Sequence, residues 1–466
     1  MEKKEKSYIS LFYLLMISSA FVVSIRNLPS IAETKVQMIF FGIIASIMFF
    51  IPGALVSAEL ATGWPKMGGI ATWVKEAFGK KWGFAASWLQ WTYAMISMIA
   101  QLYFIASSLA FLFDRNLANN RAYLIISELI LIWLFTILSL KGLKISKMVS
   151  TIGFLSGVLF PAILIIGFGI AYLVQGGASQ IDFSLKAANY FPDIHHISSL
   201  VLLVAFMRAF AGIEGSAVHA NRVENPQRNY PIAIFIVVIF GLSVNILGSM
   251  SVAIAIPSEK ISLVSSVVGA FEVFLQPYKL EFLIPIIGLL AGVGQIGGFA
   301  TWIIGPVKGL YVMSVENNLP HYFQKLNKYE VPSHLLIFQA VVISILGTLF
   351  LLFAGTINQA FWISVAFSML IYVSMYFLMF LSALYLRIKQ PHVERKYKIP
   401  GGKIGIGIVT ILGMISMILS FIIAFFPPSQ LPTEHRKFYF SFLMIGIIII
   451  YILPILITSM FKKRKA

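Results

Sequence analysis

Twelve apolar runs, most about 20 residues or longer, follow one another along this chain with short polar segments between them, and that pattern limits the fold more than any other. Lipid offers no partner to a free N–H or C=O, so such a chain crosses a bilayer as helices whose backbone groups are paired internally. The runs lie at approximately 9–31, 36–62, 83–113, 122–140, 147–174, 198–222, 230–256, 281–316, 333–354, 358–386, 404–426 and 437–460. With 59% hydrophobic and 11% charged residues and a mean hydropathy of +0.89, the 466 residues are expected to form an all-α polytopic membrane protein, a single membrane domain. The segments between runs are too short to be domains, so any chemistry belongs to the helix bundle.

A formal charge of +17 invites a nucleic-acid partner, but its placement argues for the lipid bilayer instead. Alternating loops, counted from a cytoplasmic N-terminus, hold 24 of the 35 Lys and Arg, including Lys141 to Lys147 and Arg387 to Lys403. That asymmetry is the positive-inside rule and predicts both termini in the cytoplasm. There is no cysteine, hence no disulfide and no thiolate metal site or nucleophile. Met1–Ser7 is short and polar for a cleavable signal, so the first run is read as a retained span.

The sixth run is interrupted. It reads FMRAFAGIEGSAVHANRVENPQRNYP over 206–231, placing Arg208, Gly212, Glu214 and Gly215 inside an apolar stretch. If residue 198 marks the outer edge, Arg208 lies about 15 Å deep at 1.5 Å per residue, roughly the midplane. The first run breaks similarly at Ser24-Ile25-Arg26-Asn27-Leu28-Pro29, where the proline removes a backbone donor. Corresponding broken spans in two halves are what an inverted-repeat transporter needs, which divides the chain into residues 1–190, 191–390 and two added spans in 391–466. Ser265–Leu275, in an outer loop, reads as a short interfacial helix.

Half-helix ends expose unpaired N–H and C=O groups, which suit a carboxylate and an ammonium. The backbone of Ser24, Ile25, Arg26, Asn27 and Leu28, with that of Ala209, Phe210, Ala211, Gly212 and Ile213, is the candidate substrate cradle. Arg208 and Arg26 add bidentate carboxylate recognition. The bland alternative pairs Arg208 with Glu214 and lets Arg26 snorkel to the outer interface. Glu214 is equally readable as a cap for free amides in the break. Gly292-Val293-Gly294-Gln295-Ile296-Gly297 matches a dinucleotide fingerprint, but inside an apolar run, where Gly294 and Gly298 read as a close helix contact or, functionally, as a moving gate or substrate-facing surface. Gly298, Glu214 and Trp302 are further candidate substrate-binding residues. Phe210 and Trp302 are candidate gates. Lys308 reads as snorkelling, Glu59 as an inner-end group facing a basic loop, and Glu128 as an outer-edge residue. His219 reads as a structural hydrogen-bonding group, and His195-His196 as a pair with too few ligands for a metal. No nucleotide-phosphate loop, metalloprotease or hydrolase motif is present, so no enzyme activity, metal or cofactor is expected.

The segments FFIPGALVSAELATGW (49–64), GKKWGFAASWLQW (79–91), FAGIEGSAVHANRVENPQRNYP (210–231), TWIIGPVKGLYVMSVENNLP (301–320) and RKYKIPGGK (395–403) together resemble the glutamate/GABA antiporters of the amino acid–polyamine–organocation superfamily. The resemblance implies a leucine-transporter-like 5+5 inverted repeat in a bacterial inner membrane, as monomer or homodimer. It also implies ATP-free exchange of small-molecule amino acid substrates, with the site between spans 1, 3, 6, 8 and 10. Arg26-Asn27 stands where that family has a tyrosine-glutamate pair, Gly298 where it has a glutamate, and Arg208 where it has an apolar residue. The site so read has fewer carboxylates and more cations than the glutamate/GABA type. Proton- or sodium-coupled amino acid symport is the alternative function.

Overall fold

The structure, a computed structural model, describes residues 9–65, 68–142, 153–193, 195, 197–217, 223–318, 320–428 and 436–462. Among the described residues there is no strand, only an isolated bridge between Ile9 and Val223. The first run forms α1 (Leu11–Val22), and then Val23 and Ser24 turn extended, with φ/ψ of −89°/121° and −148°/126°. A 3-10 turn at Ile25–Asn27 leads into α2 (Leu28–Ala32), whose first turn takes Pro29, where a missing N–H leaves no bond unmade.

The second run is α3 (Lys35–Gly63), followed by α4 (Ile70–Phe78), α5 (Lys80–Ala110), α6 (Arg121–Leu140) and α7 (Leu155–Val174). In the sixth run α8 (Leu203–Ala209) stops at a turn and α9 (Glu214–Ala217) resumes. Gly212 sits in that turn at φ +111°, a conformation closed to most side chains. Then come α10 (Pro226–Ala255), α11 (Ser266–Leu275), α12 (Ile284–Met313), α13 (Ser333–Phe353), α14 (Ile357–Lys389), α15 (Gly402–Ile423) and α16 (Arg436–Lys462).

By length and composition, nine helices among the described residues are apolar enough to cross a membrane, and Glu281–Ile296 is a shorter apolar stretch. Apart from α4 and α11, which lie between runs, the helices follow the apolar runs; the broken first and sixth runs yield pieces too short to cross alone. In α5 and α14, 89% and 83% of the most apolar window is buried, against 22% in α16, so α5 and α14 form the bundle's centre and α16 its rim. α12 packs along α5, and α14 packs on both α5 and α15.

The segment between the second and third apolar runs contains α4, because Ile70, Trp73 and Val74 form an apolar face that packs on α5 and α14. Glu128 is not at an outer edge. The helix already begins at Arg121, capped by the Asn120 side chain, so Glu128 falls two turns inside, fully buried against Gly347 of α13. The glycine fingerprint is a helix contact: a Cβ added at Gly294 of α12 would overlap the backbone of Gly157 in α7. Lys308 is exposed, as snorkelling requires.

Candidate functional site

The two breaks meet. The 3-10 turn at Ile25–Asn27 and α2 both pack on α8. Ser24 donates its hydroxyl to Gln295 Oε1 of α12 at 3.0 Å, and Gln101 Nε2 of α5 donates to the Gln295 carbonyl at 3.0 Å. Gln295 thereby ties the first break to the central helix. Between these elements lies a cavity of about 60 Å³. The first run contributes Val22, Ser24, Arg26 and Asn27 to its wall, and the sixth contributes Arg208, Ala209 and Ala211. Trp302 of α12 and Tyr93, Ala94, Ser97, Met98 and Gln101 of α5 complete it.

Arg208 is 6% exposed, and none of its three guanidinium nitrogens has a hydrogen-bond partner among the described residues. Its guanidinium carbon lies 6.0 Å from the centroid of the Phe361 ring, at the limit of a cation–π interaction. Arg26 Nε and Nη1 are likewise buried and unpartnered, so snorkelling does not carry them to water. Pairing of Arg208 with Glu214 does not occur, because Glu214 is engaged on the other side of the break. Its Oε2 accepts from the hydroxyls of Tyr372 (3.0 Å) and Tyr376, both on α14. The Tyr372 hydroxyl also accepts the Gly212 N–H at 2.9 Å, so the carboxylate holds the tyrosine that caps the broken helix. That is the capping reading, executed through an intermediary. Arg208 is left as a buried cation and Arg26 as a partly buried one, and a buried charge without a partner costs several kcal/mol.

Aromatic rings close one side. Tyr93 lies 4.6 Å from Tyr372 and 5.9 Å from Trp302, centroid to centroid, and Tyr372 lies 4.4 Å from Tyr376. Phe210 points elsewhere: it stacks on Phe50 at 4.7 Å with the planes 3° apart. Ile25, Leu28 and Ile213 belong to the apolar core. Gly212 and Glu214 act behind the wall, and a Cβ at Gly298 would stand 3.8 Å from Gln101 Nε2. The five α5 residues are the ones reading by break and charge overlooks. Their signal was present: Tyr93, Ser97 and Gln101 recur every fourth residue on one face of a long apolar helix. His219 and His196 lie outside the described residues, and His195 is exposed. Among the described residues no group of three His, Cys, Asp or Glu is placed to hold a metal ion.

The amino acid permease family model matches residues 7–450. An uncharacterized transporter of Legionella pneumophila is 38% identical over 449 residues, covering 96% of each chain. The glutamate/gamma-aminobutyrate antiporter of Lactococcus lactis subsp. lactis is 31% identical over 461 residues, covering 98% of this chain and 91% of its own. A probable agmatine/putrescine antiporter of the same organism is 25% identical over 426 residues, covering 91% and 89%.

Proposed function

Because the chain belongs to the amino acid permease family and is a multi-pass membrane transporter, we propose that it is a secondary amino acid antiporter, exchanging one amino acid for another through the cavity between its two broken runs. The bundle so read has twelve crossings, a 5+5 inverted repeat and both termini in the cytoplasm of a bacterial inner membrane. The backbone of Ser24–Leu28 and of Ala209–Ile213 holds the α-carboxylate and α-amino group. Arg208 and Arg26 engage an additional acidic group of the substrate. Binding shifts the inward–outward equilibrium only through its differential affinity for the two states.

One observation carries the acidic reading: a fully unpartnered, 6%-exposed guanidinium on the wall of a cavity at the junction of two helix breaks. The relatives' names span acidic and cationic substrates, so kinship leaves the charge class open. Two buried guanidiniums disfavour a cation by simple repulsion.

The test is uptake of labelled amino acids into proteoliposomes, with and without internal amino acid, over pH 5 to 8. Exchange predicts uptake only into preloaded vesicles, with glutamate or aspartate preferred. Net uptake by empty vesicles under an imposed proton or sodium gradient means symport and overturns the antiport reading.

A further inference from the structure

Among the described residues the unmet groups on the cavity wall are all donors, and the one unmet acceptor close behind it is Glu214 Oε1. Buried and unpartnered on its wall are Arg26 Nε and Nη1 and all three nitrogens of Arg208. Behind Ser24, Gln295 Nε2 is a further buried donor without a partner. None of the wall's buried unpartnered atoms is an acceptor. The two guanidiniums also lie in each other's field. Among the described residues no carboxylate pairs with either: Glu214 goes to the two tyrosines, and Glu59 goes to Arg387 and Arg395.

Charge accounting then separates substrates. The two guanidiniums contribute two positive charges. An amino acid with an acidic side chain brings one net negative charge, whereas a zwitterion brings none. Glu214, held behind the wall by two neutral tyrosine hydroxyls, is the one nearby carboxylate among the described residues, so in the empty state and in the state carrying a neutral amino acid an excess positive charge is left on the arginine side of the cavity. Guanidinium forks are weakly hydrated and accept a desolvated anion more readily than an ammonium does.

We propose that a small inorganic anion of the chloride class occupies the Arg26–Arg208 pair whenever no substrate side-chain carboxylate does. This rests on reading the cavity as the substrate site. Chloride is then a competitor of acidic amino acids and a co-occupant with neutral ones, so the two halves of an exchange cycle differ in chloride dependence.

The experiment replaces gluconate by chloride at fixed ionic strength, with two readouts on the purified full chain. In proteoliposomes, chloride at about 0.15 M raises the apparent KM for glutamate about fivefold, the factor 1 + [L]/Kd of a competitor at about four times its dissociation constant. The maximal rate is unchanged. In detergent without amino acid, chloride raises the melting temperature. Arg208→Gln abolishes both responses. Arg208→Lys keeps the charge without the fork and retains a weakened response, which separates loss of the site from loss of the fold. A wild-type chain that exchanges amino acids with no chloride effect on KM or melting overturns the anion site and leaves the exchange reading standing. A chloride response undiminished in both Arg208→Gln and Arg26→Gln overturns it as well, since the anion then sits elsewhere. A melting shift lost in Arg208→Gln, in a protein that exchanges no amino acid, keeps the anion site and removes the transport reading.

Discussion

Arg208 and Glu214 are six residues apart and of opposite charge, yet each turns to a different part of the bundle. Helix α8 ends at Ala209, and the turn through Gly212 redirects the chain before Glu214 is reached. The carboxylate therefore meets Tyr372 and Tyr376 of α14, while Arg208 faces the cavity. Two outcomes follow from this division. On the proposed function, Arg208→Ala removes a charge-assisted contact to substrate and is expected to lower kcat/KM for an acidic amino acid by tenfold or more, about 1.4 kcal/mol, in exchange assays. Tyr372→Phe strips the Gly212 N–H and one Glu214 contact of their partner together, which is expected to cost about 1–3 kcal/mol and to lower the melting temperature. Tyr376→Phe, which releases only a carboxylate contact, costs less. In the segment after α7, Asp182 is held down to about 2, first by the Ser184 amide, then by the Ser184 hydroxyl and the Asn189 side chain. A depressed carboxylate stabilises above its unfolded value and loses that contribution as pH falls through its folded one. Asp182 thus stays ionised throughout pH 5 to 8, and an NMR titration of its carboxyl should show no inflection there.

At the scale of elements, the glycines of α12 differ in what they permit. Gly294 meets the Gly157 backbone, whereas Gly298 has only Gln101 Nε2 within 4 Å. Gly294→Ala forces α7 and α12 apart and is expected to destabilise by about 1–3 kcal/mol, the usual cost of overpacking. Gly298→Ala should fold like the parent, a contrast that paired melting curves will read directly. The segment after α14 is anchored in the same residue-specific way. Glu59 of α3 accepts from Arg387 at 2.5 Å and from the Ile399 N–H at 2.8 Å, and Arg395 approaches it at 3.4 Å. Hydropathy identified Glu59 as facing a basic loop. Which of the basic residues arrive, and that a backbone N–H joins them, depended on how α3 and α14 come together.

For the molecule as a whole, the distribution of charge and burial gives the expected orientation. Because the chain contains no cysteine, single cysteines report sidedness without a background. Lys403→Cys is expected to react with a membrane-impermeant maleimide only from the cytoplasmic side, and Lys186→Cys only from outside. Labelling of both from one side would remove the proposed topology. The apolar runs, their ends and both interruptions were readable in the chain itself, because length, hydropathy, proline and glycine act on their own neighbourhood. The short helix at Ser266–Leu275 was readable for the same reason. The cavity wall was not. Tyr93, Ser97 and Gln101 became wall residues because α5 runs through the centre of the bundle beside both breaks, and the partner of Glu214 stands 158 residues away on α14. Local sequence sets where a helix can stop; only packing over such separations decides which charge meets a partner and which is left facing the cavity.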